Sequence, residues 1–459
     1  MSLEDERRQK SGQLELPLEC WGEAPEAKRS DESPTATNES ERSGTRDEPL
    51  LELVVERSNV EAALRRVKKN KGSPGIDGMT AEQLPAYVAE RWPQIREEIL
   101  SGAYQPTPVR RHAIPKKGGG VRELGIPTVL DRLIQQCIVH VLQPRFDPTF
   151  SEHNYGYRPG RSAHGAVRAA QRFIQEGRRW VVDVDLEKFF DRVNHDVLMG
   201  KLASRIADRR LLGLIRRYLE AGIMASGVVV ERDEGTPQGG PLSPLLSNVL
   251  LDDVDKELER RGHAFARYAD DCNVYVRSRR AGERVLGTLR RLYAKLRLRI
   301  NEAKSTVARP WERKFLGYSF WHGRGGSVQL RVARNAQDAL KDRVRELTSR
   351  TRGRSLQSVI NELRAYLTGW KNYFKLAPAL TARHVLDGWI RHRLRALQLH
   401  HWRRARTVFR ELRARGVDPV LAAQAASSTR SWWRTAGQAL NHVLPVASFT
   451  KMGLPTLSA

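Results

Sequence analysis

Hydrophobic positions along the chain follow two rhythms. Leu53, Val54, Val60, Leu64 and Val67 recur at helical spacing, and order is expected to begin near Leu51. The same period runs through Leu133, Ile134, Cys137, Ile138, Val141 and Leu142, and through Val285, Leu289, Leu292, Tyr293 and Leu296. A further helix is predicted over 245–261, behind a Gly/Pro-rich loop. Pro106 to Pro127 reads as strand, turn and strand, with the turn at Lys116-Lys117-Gly118-Gly119-Gly120. Trp180 to Leu186 predicts a short buried strand that carries carboxylates, and Phe265 to Val276 predicts two strands about a tight turn. Three glycines and a proline between Lys71 and Gly78 exclude a helix there.

After Gly326 strands are expected to fade and long basic helices to take over. Leu356, Val359, Ile360, Leu363, Leu367, Trp370, Tyr373 and Phe374 share one helical face. Gly369 is tolerated inside that face at about 1 kcal/mol. Between Arg383 and Arg415 ten arginines stand against two acids, Asp387 and Glu411, and Trp389, Trp402, Trp432 and Trp433 are interleaved through this half.

Charge sharpens the picture. Of 459 residues, 79 are Lys or Arg and 53 Asp or Glu, a net charge of +26. The surplus is uneven: residues 1–50 hold 13 acids and 7 bases, while the remainder carries +32. An excess of that size is the footprint of a polyanion partner, and nucleic acid is the first candidate. Residues 1–50 are polar, acidic and poor in core-forming side chains, so they are expected to be disordered. No run of roughly 18 apolar residues predicts a membrane span. The charged start Met1-Ser2-Leu3-Glu4-Asp5-Glu6 is no secretory signal. Cys20, Cys137 and Cys272 make no zinc pattern and no disulfide scaffold, which points to a reducing, intracellular compartment.

Two segments place acids where folds avoid them. Val181-Val182-Asp183-Val184-Asp185-Leu186 and Tyr268-Ala269-Asp270-Asp271 both end an apolar strand in carboxylates. An unpaired buried carboxylate costs several kcal/mol. A bound divalent cation removes that cost, and Mg²⁺ prefers hard oxygen ligands. An isolated Asp-Asp pair is most often a solvated turn. Here Phe265 and Tyr268 precede it, Cys272, Val274 and Val276 follow in alternation, and a second acid-tipped strand lies upstream.

Tyr268-Ala269-Asp270-Asp271 between short strands resembles the catalytic hairpin of reverse transcriptases, with the Ala common in group II intron maturases. The resemblance covers nearly everything from about residue 51 onward. Asp185-Leu186-Glu187-Lys188-Phe189-Phe190-Asp191 looks like the family's first metal-binding motif. In the family the metal-binding Asp precedes, by five residues, an aromatic that blocks the sugar 2′-hydroxyl. That spacing selects Asp185 with Phe190 over Asp183, which is expected to be structural. The resemblance thus implies Asp185, Asp270, Asp271 and Lys304 as catalytic residues, and Asp185, Leu186, Asp270 and Asp271 as the metal set for two Mg²⁺. Lys304, in Leu298-Arg299-Ile300-Asn301-Glu302-Ala303-Lys304, matches the lysine that protonates the leaving pyrophosphate; taken alone it is a surface lysine. Gly235-Thr236-Pro237-Gln238-Gly239-Gly240 resembles the template-grip loop. Lys116, Arg122, Phe190, Gln238 and Gly239 are the implied nucleotide-binding residues. Tyr155-Gly156-Tyr157-Arg158 also fits the family, and Phe315-Leu316-Gly317-Tyr318 resembles its primer-grip hairpin. Gly369-Trp370-Lys371-Asn372-Tyr373-Phe374 resembles a landmark of the maturase thumb, where Trp370 and Tyr373 are expected to pack the core. Arg391, Arg393, Arg395, Arg403 and Arg404 are candidates for RNA contact.

The implied fold is α+β: a right-hand polymerase with an antiparallel palm sheet, then an all-α thumb/maturase domain. The expected division is an acidic terminus over 1–50, fingers and palm over 51–330, and the helical region over 331–459. The implied activity is RNA-directed DNA polymerisation combined with binding of group II intron RNA, its splicing, and copying into DNA during retrohoming. Expected partners are the intron RNA, an RNA template with DNA primer, target DNA and dNTPs, with no membrane, in a bacterial cytoplasm and at the nucleoid when acting on DNA. The paired cysteines of the family's zinc-type endonuclease do not follow Lys304, so that domain is expected to be absent. Two other readings stay open: a non-catalytic RNA-binding splicing factor, and a host-adopted reverse transcriptase of repair or defence.

Overall fold

The computed structural model describes residues 49–458 apart from 116–120, 226–227, 231–233, 236–238, 379, 428–431 and 439. Residues 1–48 of the acidic terminus, Lys116 and Gln238 therefore lie outside the described residues, while Leu50 is buried and opens the first helix. The chain forms two compact units that divide after Pro310.

The first unit begins with helices Leu50–Val54, Arg57–Asn70 and Leu84–Ser101. Strands β1 (Val109–Pro115) and β2 (Val121–Ile126) follow as an antiparallel pair, with Ile114 opposite Arg122. With β4 (Ile223–Ala225) and β5 (Val228–Val230) they make a sheet of order β2-β1-β4-β5. The helix Val129–Phe146 is capped by Thr128, whose hydroxyl accepts from the Asp131 amide. It is the predicted apolar helix, with Leu133, Ile134, Cys137, Ile138 and Leu142 all buried.

The second sheet of this unit carries the acids. Its order is β6-β7-β3-β8: β6 (Ala264–Tyr268), β7 (Asp271–Val276), β3 (Trp180–Val184) and β8 (Thr306–Ala308), all antiparallel. β3 lies in the middle, which is why it reads as a nearly unbroken apolar run. The helices Ala163–Gln175, Ser243–Arg260 and Arg279–Lys295 pack against this sheet and bury Phe173, Leu251 and Leu289.

The second unit opens with β9 (Lys314–Phe315), β10 (Tyr318–His322) and β11 (Val328–Val332) in one antiparallel sheet. β11 departs from the expected loss of strands after Gly326: Val328, Leu330 and Val332 alternate buried positions with the exposed Gln329 and Arg331. The expected boundary at 330 also differs from the division after Pro310. The Tyr318 hydroxyl donates to the Tyr373 carbonyl, and the Tyr373 hydroxyl donates to the Leu316 carbonyl at 2.9 Å, so the sheet belongs with the helices that follow it. These are Arg334–Leu347, Leu356–Tyr373, Leu380–Trp402, Ala405–Ala414 and shorter helices to Lys451. Trp370 is 3% exposed and packs on Phe374 with ring centroids 4.8 Å apart, so the packing role expected for it holds.

Candidate active site

The strand register brings two of the three predicted carboxylates to adjacent strand ends. Val184 of β3 pairs with Cys272 of β7, and the next residue on each strand is Asp185 and Asp271. Tyr268 pairs with Asp271, which leaves Ala269-Asp270 as a two-residue turn. Ala269 has φ 58°, the left-handed region that such turns normally give to glycine. An alanine there costs about 1–2 kcal/mol. Buried neighbours hold it in place, and Ala269 itself is 5% exposed.

Asp185 is anchored through its backbone. Its amide donates to the Ser305 hydroxyl at 3.0 Å, and its carbonyl accepts from the Asn301 amide at 2.8 Å. The neighbouring Leu186 is buried and bridges Ile300. With the backbone fixed on both sides, the carboxylate projects from a rigid strand end, and it is about one-third exposed. Lys304 Nζ stands 3.1 Å from Asp185 Oδ2, so the segment that anchors the strand end also delivers a cation to it. This pair is open to solvent and contributes little to stability.

Asp183 differs. It pairs in register with Asn273 and Thr306 inside the sheet, and the Asn273 amide nitrogen donates to Asp183 Oδ1 at 2.9 Å. A hydrogen bond across the sheet agrees with the structural role expected for it.

Phe190 lies in a short 3₁₀ turn, Phe189–Asp191, entered through Lys188 at φ 47°. It is 8% exposed and meets Phe189 edge-on, with centroids 5.0 Å apart. Most of this ring is core. Gly235 docks against the same turn. The Gly235 amide donates to the Val193 carbonyl at 2.8 Å, and its carbonyl lies 2.7 Å from His195 Nε2. A Cβ on Gly235 would lie 3.1 Å from the Phe190 and Asp191 carbonyl oxygens, and one on Gly239 would lie 2.7 Å from the Gly125 oxygen. The close approach these glycines permit is therefore to the protein's own backbone. Gly239 is exposed at φ 135°, and Arg122 lies on β2 opposite Ile114.

Several residues of the site had not been anticipated. Arg267 and Asp255 form a fully buried ion pair, with Nε 2.8 Å from Oδ1. Burial opposes the charge on Arg267, but the facing Asp255 carboxylate outweighs it and the guanidinium pKa lies above its ordinary value. Removing one partner of such a pair costs about 3–5 kcal/mol. Arg267 also donates to Asn248 Oδ1 at 3.1 Å and to the Ala269 carbonyl at 2.9 Å. The sequence signal was available: an arginine interrupts Phe265-Ala266-Arg267-Tyr268, and Asp255 interrupts the apolar face Leu251, Asp255, Leu258 of one helix. Gly156, quoted above within a family segment but given no role there, is another. A Cβ there would overlap the Ala269 amide nitrogen and lie 3.0 Å from the Tyr268 carbonyl carbon.

Among the described residues no group of three or more His, Cys, Asp or Glu side chains converges on one point as metal ligands do. The donor types nevertheless suit Mg²⁺: carboxylate oxygens at neighbouring strand ends, on a rigid sheet.

In the helical unit the five predicted arginines separate. Arg395 is 7% exposed, and its Nε donates to the Leu444 carbonyl at 3.0 Å. It ties the helix Leu380–Trp402 to the segment at Leu444, which corrects its assignment to RNA contact: a buried guanidinium bonded to a carbonyl of its own chain is not presented to a phosphate. Arg393 is half-buried, donates to Thr348 Oγ1 at 2.7 Å and lies over the Trp389 ring at 5.5 Å. Burial first, then the nearby Arg345 and Arg350, push its pKa down. Arg391 is partly exposed, and Arg403 and Arg404 are exposed at the bend between two helices.

Residues 114–320 match the reverse transcriptase (RNA-dependent DNA polymerase) family, and residues 337–416 match the group II intron maturase-specific domain. The chain is 38% identical over 218 residues to Protein YkfC of Escherichia coli (strain K12), covering 46% of this chain and 57% of that one. It is 36% identical over 195 residues to Group II intron-encoded protein LtrA of Lactococcus lactis subsp. cremoris, covering 42% of this chain and 32% of that one. Among solved structures, one chain of a partial Cas6-RT-Cas1–Cas2 complex is similar at 27% identity and a TM-score of 0.35, covering 54% of this chain and 42% of that one. The chain thus spans less than two thirds of the curated relatives it matches. The chain carries a reverse transcriptase domain over the acid-tipped strands, followed by a group II intron maturase-specific domain in the helical unit.

Proposed function

We propose that this protein is an RNA-directed DNA polymerase that also binds a group II intron RNA, promotes its splicing and copies it into DNA during retrohoming. The observation that carries the reading is the register that sets Asp185 and Asp271 side by side at the end of a palm sheet. The maturase-specific domain over 337–416 supports the intron RNA as partner. The partners are that RNA, an RNA template with a DNA primer, target DNA and dNTPs, and the working place is the cytoplasm and nucleoid.

Asp185, Asp270, Asp271 and the Leu186 main-chain carbonyl would hold two Mg²⁺. Such a pair supplies a clamp on the attacking and leaving oxygens of an in-line displacement. The rest of the work falls to the chain. Lys116 and Arg122 hold the triphosphate, Gln238 and Gly239 hold the nascent base pair, and Phe190 presents its exposed edge to the sugar. Lys304, within reach of Asp185, gives a proton to the departing pyrophosphate. The test is extension of a DNA primer on an RNA template with Mg²⁺, alongside splicing of the flanking intron with and without protein. Loss of either activity overturns the corresponding half of the reading.

Sugar selection makes this sharper. Phe190→Val opens space beneath the sugar and should raise ribonucleotide incorporation relative to deoxyribonucleotide by about 10-fold, the scale of 1.4 kcal/mol. Because most of the ring is core, stability should also fall, by up to about 3 kcal/mol. An unchanged incorporation ratio with lowered stability would mean that the ring serves packing alone.

For the RNA surface, Arg403 and Arg404 are the informative pair, because Arg395 cannot be removed without breaking a helix contact. Replacing both with Gln should weaken intron RNA binding and flatten the log–log salt dependence by up to about 2 units, one for each phosphate no longer neutralised. Extension on a short pre-annealed template should change less. Equal loss in both measurements would assign these arginines to any duplex.

A further inference from the structure

Arg267 is fully buried two residues before the Ala269-Asp270 turn, and the chemistry described above does not use it. Its guanidinium is a junction. One edge takes Asp255, on the helix Ser243–Arg260; the other reaches Asn248 Oδ1 and the carbonyl of Ala269, inside the turn. Asn248 donates to the Gly156 carbonyl at 2.9 Å, and its Oδ1 also accepts from Asn154 Nδ2 at 3.1 Å. The backbone of Gly156 lies directly against the Ala269 amide. The contacts therefore close on themselves, from the turn to Arg267, to Asn248, to Gly156 and back to the turn.

This arrangement exceeds what packing requires. A well-packed apolar side chain at position 267 would avoid the desolvation of two charges and is often as stable or more so. A lysine would satisfy Asp255, but as a single point donor it could not also reach Asn248 and Ala269 in the fork geometry of arginine. The bond to Ala269 lands on the one residue of the turn in a strained backbone conformation.

We propose that Arg267 is a positioning residue for nucleotidyl transfer: held by Asp255 and Asn248, it fixes the Ala269 carbonyl and so sets where the Asp270 and Asp271 carboxylates stand relative to Asp185. The inference rests on the polymerase reading above.

Arg267→Lys tests it, because the charge facing Asp255 is kept while the link to Ala269 is removed. Three quantities are compared with wild type: primer–template Kd, kcat with its Mg²⁺ dependence, and amide hydrogen exchange across the palm. The expected result is an unchanged Kd, kcat lower by about 10-fold or more for a sub-ångström displacement of the carboxylates, and a higher Mg²⁺ requirement. Exchange should speed up over residues 268–272 while 181–184 keep their protection. Wild-type kcat and Mg²⁺ dependence in the variant would overturn the proposal, and so would exchange that rises equally across the whole sheet, which marks a core residue only. If Arg267→Lys fails to fold, Asn248→Ala removes no charge and is read by the same criteria. A wild-type protein that extends no primer defeats the polymerase reading instead, and the exchange comparison still decides whether Arg267 holds the turn.

Discussion

Replacing Asp270 with Asn is expected to abolish primer extension, by at least about 10³-fold, the scale on which members of a catalytic unit fail. Asn keeps the shape of the side chain and removes its charge. The turn conformation is imposed by the Tyr268–Asp271 pairing and by the Arg267 bond to Ala269, neither of which uses the Asp270 carboxylate. A loss of that size with an unchanged melting curve belongs to chemistry and not to folding. Affinity for intron RNA should stay within a few-fold of wild type, because the proposed reading gives that contact to the basic helical unit. Primer extension on an RNA template and filter binding of the intron RNA measure the two. An Asp270→Asn protein that extends at full rate would remove the palm carboxylates from the mechanism.

Gly156→Ala is expected to be nearly as damaging, although the residue touches no substrate in this reading. The added methyl would overlap the Ala269 amide nitrogen, and it meets backbone that no side-chain rotation can clear. Either the turn or the segment around Gly156 must shift by several tenths of an ångström or more. A displacement near 1 Å at a catalytic group costs about 10²-fold in rate, and overpacking of this kind costs about 1–3 kcal/mol in stability. Extension kinetics together with a denaturant melt check both. A variant with lowered stability but wild-type kcat would show that the segment yields and the turn stays.

The two substitutions probe opposite sides of what was readable in advance. The palm strands were legible because their apolar runs are short, bounded and tipped with acids. Asp185, Asp270 and Asp271 stood out because a chain spends stability to keep carboxylates at the ends of such strands. The helices were legible from their period, and the buried faces of Val129–Phe146 and Leu356–Tyr373 follow it closely. β11 was missed because Gly323, Gly325 and Gly326 mark a break, and a break precedes a hairpin strand as readily as it ends a sheet. Arg395 was misjudged because a basic helix shows how many arginines it has and hides which face each one takes. Its neighbour two positions earlier, Arg393, keeps part of its surface open, whereas Arg395 turns inward to the Leu444 carbonyl.

By itself the sequence determined the classes of element, the basic character of the chain and the residue types at the acid-tipped strand ends, because period, charge and acid-tipped strands are local properties. Only the tertiary structure decided which residues hold that centre in place. The pairing of Val184 with Cys272 brings together acids almost ninety positions apart. Ser305 and Asn301 fix Asp185 across more than a hundred residues, and Gly156 supports a turn it precedes by more than a hundred. Arg267 shows in sequence as an arginine interrupting an apolar strand, but not what it meets there. Its burial against Asp255 arises because the helix Ser243–Arg260 packs on β6, and no local pattern encodes which helix will supply the opposite charge.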